Sequence, residues 1–171
     1  MTGTVYWITG LAGAGKTTVA HLLHLYIRAR RPNVVLLDGD ILREVYGDDL
    51  GHDQNDRRQV AWRNARLCLI LSSQGIDVVC ATISMFKEIR AWNREHIPSY
   101  REVYLRVPMS VLVERDQKGL YSRALAGETE NVLGVDIHPE EPEAPDLVID
   151  NDGSITPTQI VEKCVHCFSI E

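Results

Sequence analysis

A chain of 171 residues, 44% of them hydrophobic, is long enough for one hydrophobic core and short for two. It carries 18 basic and 24 acidic residues, a net charge of −6, and no basic tail or stripe, which disfavours a nucleic-acid partner. No apolar stretch approaches the roughly 18 residues of a membrane span, and the first residues lack the pattern of a signal peptide, so we expect a cytoplasmic protein without a membrane partner.

Short apolar segments alternate along the chain with segments of helical periodicity. The predicted strands cover residues 5–9, 34–37, 77–81, 102–107 and 147–149. The predicted helices run from residue 16 to the break at Pro32 and Asn33, over 56–73, 86–96 and 109–116, and onward from Thr156. This alternation predicts an α/β fold, a three-layer sandwich around a mostly parallel sheet.

Residues 117–145 interrupt the alternation. The segment is rich in Gly, Glu and Pro, has little periodicity, and is longer than an ordinary connection between elements. Segments of this kind are usually disordered or form lids over active sites, and a position late in the fold favours a lid. We therefore predict a lid over about 117–145 within a single domain of residues 1–171.

A glycine-rich turn joins the first strand to the first helix. Residues 10–17 read GLAGAGKT and match the phosphate-loop pattern GxxxxGK[ST] in full. Glycines let backbone N–H groups point inward at a phosphate, and the following helix adds the positive end of its dipole. Lys16 can reach the β- and γ-phosphates, and the Thr17 hydroxyl can bind Mg²⁺. The predicted ATP-binding residues are Gly10, Gly13, Ala14, Gly15, Lys16, Thr17 and Thr18.

Two acidic residues and an arginine follow the second strand: Asp38, Asp40 and Arg43. A carboxylate at the end of a strand beside a phosphate loop can orient Mg²⁺ or accept the proton of an attacking hydroxyl. A turn that uses Asp and Gly only for its backbone geometry is the alternative. The Asn-Lys-x-Asp motif by which switch GTPases read guanine does not occur in the chain. The sequence thus predicts a kinase that passes the terminal phosphate of ATP to a small acceptor.

The four cysteines are Cys68, Cys80, Cys164 and Cys167. The first two lie in apolar segments and are expected to be buried thiols. The last two form a CxxC on the final predicted helix, but no second ligand pair stands at a suitable spacing for zinc. Packed thiols are therefore favoured over a metal or redox site.

Several motifs resemble the adenylyl-sulfate kinases, in order and over nearly the whole chain. They are GLAGAGKTT at 10–18, LDGDILR at 37–43, DLG at 49–51 with DR at 56–57, ATIS at 81–84, RDQKGLY at 115–121, AG at 126–127 and GVD at 134–136. The resemblance implies a P-loop kinase that uses ATP and Mg²⁺ to phosphorylate the ribose 3′-hydroxyl of adenylyl sulfate, a small nucleotide acceptor. It also implies a homodimer.

The resemblance implies roles for individual residues as well. Lys16, Asp38 and Lys118 would be catalytic, with Thr17 and Asp38 at the Mg²⁺ and Asp38 acting as a base or as an organiser of the metal. The residues implied at the acceptor are Asp40, Arg43, His52, Arg57, Ile83, Ser84, Lys118, Leu120 and Val132. Lys118 and Leu120 belong to the lid and would help to close it.

The departures from the family cluster where the base of the acceptor would lie. His52 and Val132 stand in place of two phenylalanines that sandwich adenine in the family, and one aromatic face is worth about 1–3 kcal/mol. Three interpretations stay open. The acceptor is adenylyl sulfate in an altered pocket, or it is another nucleotide derivative such as cytidine diphosphoramidate, stacked on His52 or Trp62. The third is a nucleotide-binding regulatory domain that has lost catalysis.

Overall fold

The computed structural model describes residues 2–47, 50–51 and 53–171. Its strands are β1 (Val5–Thr9), β2 (Val34–Asp38), β3 (Asp77–Ala81), β4 (Tyr100–Arg106) and β5 (Leu147–Asp150). Its α-helices are α1 (Lys16–Arg28), α2 (Gly39–Tyr46), α3 (Gln54–Ser73), α4 (Lys87–His96), α5 (Met109–Arg115), α6 (Leu120–Leu125) and α7 (Pro157–Phe168). A short 3₁₀ turn, Gln117–Gly119, precedes α6.

The strands of the described residues form one sheet in the order β2-β3-β1-β4-β5, with every pair parallel. Ala81 at the end of β3 lies opposite both Ile8 of β1 and Asp38 of β2. Because the carboxyl ends of these strands are level, the loops that follow them meet at one edge of the sheet, where ligands bind in open α/β folds.

Helices cover both faces of the sheet and create a core on each. On one face, α1 and α7 contribute Leu23 and Ile160 to a buried cluster. On the other face, α3 and α4 contribute Ala65 and Ile89. All five residues of β1 and of β3 are buried, as expected for strands covered on both sides. The predicted three-layer α/β architecture is therefore confirmed.

Helix α2 was not predicted from the sequence. Its eight residues include Gly39 and the β-branched Ile41 and Val45, which have low helix propensity. The helix forms because the Asp38 side chain accepts a hydrogen bond from the Asp40 N–H at 2.9 Å and so caps its first turn. Thus Asp38, the last residue of β2, has a structural role in addition to any role at the site.

The segment predicted to be irregular, residues 117–145, contains the 3₁₀ turn and α6 at its start. The carboxylate of Asp116 accepts hydrogen bonds from the N–H groups of Tyr121 and Ser122 at 2.9 and 3.1 Å. Tyr121 is fully buried and joins the core. Short helices of this kind depend on capping and burial and give little periodic signal, so the sequence pattern did not reveal α6.

The final helix begins as predicted: Thr156 and Gln159 form a capping box with Pro157 in the first turn. Cys164 on α7 is buried and Cys167 is exposed. The described residues hold no cluster of three potential metal ligands, and none of their helices is long and apolar enough to cross a membrane.

Candidate active site

The phosphate loop follows β1 and ends where α1 begins at Lys16. Gly10 has a φ of 153°, and a Cβ there would lie 2.6 Å from the carbonyl oxygen of Leu105. Gly15, with a φ of 89°, starts the helix in a left-handed conformation. Only glycine fits this path without strain, and the path leaves the first N–H groups of α1 open to an anion.

Lys16 is the cation of the loop. Its Nζ donates to the carbonyl oxygen of Leu11 at 2.8 Å. Burial lowers the pKa of Lys16 from 10.5 to about 8, and the negative charges of Asp40 and Asp38 oppose that shift. The lysine is thus held in the loop by a contact that a phosphate oxygen can replace.

Thr17 and Asp38 meet beside this lysine. The Thr17 hydroxyl donates to Oδ2 of Asp38 at 2.7 Å, while Oδ1 of Asp38 caps α2. The carboxylate is buried, with 8% of the residue exposed. A hydroxyl and a carboxylate at this spacing supply the hard oxygen ligands that Mg²⁺ prefers when it is also bound by phosphates and water.

A cleft of about 550 Å³ opens at the carboxyl edge of the sheet and contains these groups. On the donor side it is lined by Gly13, Gly15, Lys16, Thr17, Thr18 and Asp38. On the opposite side it is lined by Asp40, Arg43, Arg57, Val60, Ile83, Ser84, Met85 and Phe86, and from the lid by Lys118, Leu120, Arg123 and Leu133. Among the predicted ATP-binding residues, Gly10 and the buried Ala14 support the loop from behind and do not line the cleft.

Two arginines stand in the acceptor half of the cleft. Arg43 donates to the carbonyl of Gly51 at 2.6 Å, and Arg57 donates to the carbonyl of Asn131 in the lid at 2.8 Å. Burial lowers the pKa of Arg57, and the nearby charge of Arg43 lowers it further. Two neighbouring cations of this kind can bind an anionic group of a ligand.

The lid contacts the rest of the cleft at two points near its start. Nζ of Lys118 lies 3.9 Å from a carboxylate oxygen of Asp40, and both side chains are mostly exposed. The Tyr121 hydroxyl donates to the carbonyl of Ala12 in the phosphate loop at 2.8 Å. Lys118 adopts a φ of 61°, a conformation that is uncommon for residues with a side chain.

Val132 and Trp62 do not face the cleft. Val132 is 3% exposed and packs in the core, whereas its neighbour Leu133 lines the cleft. Trp62 packs edge-on against Trp92, with ring centroids 5.5 Å apart. Leu133 rather than Val132 therefore lines the cleft, and Trp62 has a packing role. His52 and Asp49 lie outside the described residues.

Arg115 and Asn151 support the phosphate loop and were not singled out as site residues from the sequence. Arg115 donates to the carbonyl oxygens of Gly13 and Asn151 at 3.2 and 2.9 Å. The Asn151 amide donates to the carbonyl of Ala14 at 2.9 Å. Arg115 is the first residue of the RDQKGLY motif, so the sequence contained a signal that could have identified it. For Asn151 the only sequence signal is its position directly after the last strand.

Comparisons with known proteins identify relatives of this chain. The family model for adenylylsulphate kinase matches residues 2–150. A cytidine diphosphoramidate kinase from Campylobacter jejuni is 45% identical over 147 residues, which cover 86% of this chain and 85% of that protein. An adenylyl-sulfate kinase from Halothermothrix orenii is 39% identical over 150 residues, 88% of this chain and 81% of that protein.

A solved structure shows the same fold. The Mycobacterium tuberculosis APS kinase CysC, in complex with AMPPNP and APS, superimposes with a TM-score of 0.90 at 30% identity over 98% of both chains. The resemblance seen in the sequence motifs is thereby confirmed, and with it a nucleotide kinase activity of this type. The chain belongs to the adenylylsulphate kinase family.

Proposed function

We propose that this kinase transfers the terminal phosphoryl group of ATP to the ribose 3′-hydroxyl of a nucleotide with a substituted 5′-phosphate. Cytidine diphosphoramidate is the first candidate acceptor and adenylyl sulfate the second. The observation that carries the proposal is one continuous cleft with Lys16, Thr17 and Asp38 at one end and Arg43 and Arg57 at the other.

The donor end suits the polyphosphate of ATP. Lys16 exchanges its contact with the Leu11 carbonyl for phosphate oxygens, and the N–H groups at the start of α1 add to the positive field. Thr17 and Asp38 have the donor set for Mg²⁺, which would supply charge neutralisation on the phosphates when bound. Positioned cations are the main source of catalysis in phosphoryl transfer, because the transition state is loose and highly charged.

In the transfer step the bond between the γ-phosphorus and the β,γ-bridging oxygen of ATP breaks, and a bond from the acceptor hydroxyl oxygen to that phosphorus forms. The hydroxyl proton leaves to Asp38 or to solvent. The ammonium group of Lys118 lines the cleft and lies near Asp40. We expect it to stabilise the negative charge of the transferred phosphoryl group when the lid closes. A closed lid also excludes water, which would otherwise compete as the acceptor.

The wall of the acceptor half favours cytidine over adenosine. Among the described residues that line it, Phe86 is the one aromatic ring, and Val60, Met85 and Leu133 are not aromatic. A purine has a larger stacking face than a pyrimidine, so its affinity gains more from a second aromatic side chain. A wall with only one such side chain among its described residues therefore reduces the difference in affinity that would favour adenine. The cytidine diphosphoramidate kinase of C. jejuni, at 45% identity, supports the same choice.

A coupled assay of ADP release tests the proposal. Purified protein with Mg-ATP would be offered cytidine diphosphoramidate, adenylyl sulfate, CDP and AMP, and the phosphorylated position would be read by ³¹P NMR. We expect 3′-phosphorylation with kcat/KM about tenfold or more higher for cytidine diphosphoramidate than for adenylyl sulfate, a difference of about 1.4 kcal/mol. A higher kcat/KM for adenylyl sulfate would reverse the ranking. ATP binding without turnover of any acceptor would indicate a domain that has lost catalysis.

A further inference from the structure

A buried chain of polar side chains lies behind the acceptor half of the cleft. The Tyr46 hydroxyl at the end of α2 donates to Oδ1 of Asn64 on α3 at 2.7 Å. Nδ2 of Asn64 lies 3.5 Å from the Thr82 hydroxyl, which lies 2.7 Å from the hydroxyl of Ser84. Thr82 and Ser84 follow β3 and line the cleft. These hydrogen bonds therefore connect the end of α2 to the wall of the cleft.

Three members of this polar chain, Asn64, Thr82 and Ser84, are buried. Asn64 has no exposed surface, and Thr82 and Ser84 are 6% and 7% exposed. Asn64 has the buried Ala61, Ala65 and Cys68 as neighbours along α3. Buried polar groups that are bonded only to one another add little net stability over apolar groups of the same shape. Stability alone thus gives no reason for an asparagine at this position.

The first two hydrogen bonds of the polar chain have a direction. The Tyr46 hydroxyl donates a hydrogen bond to the amide oxygen of Asn64, and the amide nitrogen of Asn64 donates to the hydroxyl oxygen of Thr82. The Thr82 hydroxyl accepts that bond and shares a second, short hydrogen bond with the hydroxyl of Ser84, in which either oxygen can be the donor. Ser84 is thereby held at the wall of the cleft with hydrogen-bonding capacity left for a ligand. Burial raises the pKa of Tyr46 to about 12, so the first donor keeps its proton over the working pH range.

The main chain beside Ser84 is also fixed. The hydroxyl of Thr9, at the end of β1, donates to the carbonyl of Ile83 at 2.7 Å. Ser84 therefore cannot move away from the cleft without breaking either that bond or its link to Thr82. A hydroxyl held in a fixed position distinguishes ligands that place a hydrogen-bonding atom opposite it from those that do not.

We propose that Tyr46, Asn64 and Thr82 are positioning residues that hold the Ser84 hydroxyl in place to form a hydrogen bond with the acceptor nucleotide. The inference rests on the proposed function, since it concerns how that acceptor is bound. The bond belongs to the acceptor half of the cleft, so it sets the affinity for the acceptor and leaves ATP binding unchanged.

A double-mutant cycle on the acceptor KM tests this. Ser84→Ala and Asn64→Leu are each expected to raise the KM for the acceptor about tenfold, as for the loss of one buried hydrogen bond, with the KM for ATP unchanged. The double variant should be no worse than either single one, because Asn64 acts through Ser84. An acceptor KM within about twofold of wild type in Asn64→Leu, or effects that multiply in the double variant, would overturn the inference.

Asn93→Leu is the matched control. Asn93 is also a fully buried asparagine on a helix with a tyrosine hydroxyl as its partner, Tyr100 at 3.5 Å, but it has no link to Ser84. It should shift the melting temperature without changing the acceptor KM.

Tyr46→Phe keeps the test available if Asn64→Leu does not fold. It removes the first donor of the polar chain from a partly exposed site and should raise the acceptor KM about threefold. An unchanged acceptor KM in this variant counts against the proposal.

Comparing the two candidate acceptors shows which part of the nucleotide the Ser84 hydroxyl contacts. An equal rise in KM for cytidine diphosphoramidate and adenylyl sulfate supports a bond to the ribose or phosphate, whereas a rise for one alone supports a bond to the base. Failure of wild-type protein to phosphorylate either nucleotide would overturn the proposed function. Wild-type turnover with an unaltered acceptor KM in the variants would overturn this inference alone.

Discussion

Lys16 lies in the phosphate loop with its ammonium group 2.8 Å from the carbonyl of Leu11. Loss of solvent lowers its pKa to about 8, while Asp40 and Asp38 limit the shift. The polyphosphate of ATP adds negative charge and should return the pKa towards its ordinary value. Above pH 8 the free enzyme has therefore lost a proton that the ATP complex holds, and binding must take one up.

We accordingly expect the affinity for ATP to fall as the pH rises from 8 to 10, with proton uptake on binding in that range. Isothermal titration in two buffers of different ionisation enthalpy measures the uptake directly. Lys16→Met, which has no titrating group at this position, is the control and should bind weakly at every pH in the range. Proton uptake of the same size in that variant would assign it to another group.

Asp38 combines two functions that can be separated by one substitution. In Asp38→Asn the side chain can still cap α2, because Asn and Asp are equally good at that position. The charge needed beside Thr17 is lost, so we expect kcat to fall about 100-fold or more with little change in melting temperature. Asp53→Asn, at the matching cap of α3, should leave both quantities unchanged. Near-wild-type kcat in Asp38→Asn would remove Asp38 from the chemistry.

At the scale of elements, the first helix of the lid is tied to the phosphate loop. Tyr121 on α6 is fully buried, and its hydroxyl donates to the carbonyl of Ala12 at 2.8 Å. Tyr121→Phe should lower the free energy of unfolding by about 1 kcal/mol and raise the KM for ATP about threefold. Tyr100→Phe is the control for stability, because it removes the hydroxyl of another buried tyrosine, at the start of β4 and away from the phosphate loop. Equal ATP kinetics in both variants would show that α6 does not act on the loop.

The far end of the predicted lid, residues 117–145, is held by an ion cluster around the buried Glu102, the lid clamp, formed by Arg90, Arg94 and Glu102. The Glu102 carboxylate lies within 3.2 Å of Arg90 and 2.9 Å of Arg94. The two arginines in turn donate to the carbonyls of Glu141 and Ala144. The segment is therefore held at both of its ends, and we expect any movement of it to be confined to the residues between them.

Glu102→Gln should destabilise the fold by about 3 kcal/mol, since Arg90, itself 5% exposed, would remain as an uncompensated buried charge. Amide hydrogen exchange over residues 141–146 should become faster. Glu88→Gln breaks an exposed pair with Arg58 and should cost less than about 1 kcal/mol. Similar losses in the two variants would contradict the importance of the clamp.

At the scale of the whole molecule, the two cores lie on opposite faces of the same sheet, and neighbouring residues of β1 supply them alternately, Ile8 to one and Trp7 to the other. Neither core can lose its packing without exposing strands of the other. We therefore expect residues 1–171 to unfold in a single transition, identical by circular dichroism and by tryptophan fluorescence. Two transitions, or different midpoints for the two probes, would divide the chain into more than one folding unit.

The donor half of the site could be predicted from the sequence because its parts are contiguous. The pattern at residues 10–17 specifies a strand, a loop and a helix start, and the structure places Lys16 and Thr17 as that pattern implies. Asp38 was found for a related reason, since the carboxyl ends of parallel strands meet at one edge. The α/β fold and the approximate positions of the long elements followed from periodicity and from breaks such as Pro32, although α1 already ends at Arg28.

The acceptor half was decided by the tertiary structure. Arg57 and the lid residue it binds, Asn131, are 74 positions apart in the chain, and no local pattern reports such a contact. Sequence alone could not show that Val132 enters the core while Leu133 faces the cleft, because a shift of one residue in an irregular segment carries no periodic signal. Nor could it show that Asn64 links α2 to Ser84. The sequence by itself determined a phosphate loop on a parallel sheet, and packing between distant segments decided which side chains form the wall that we propose for the acceptor.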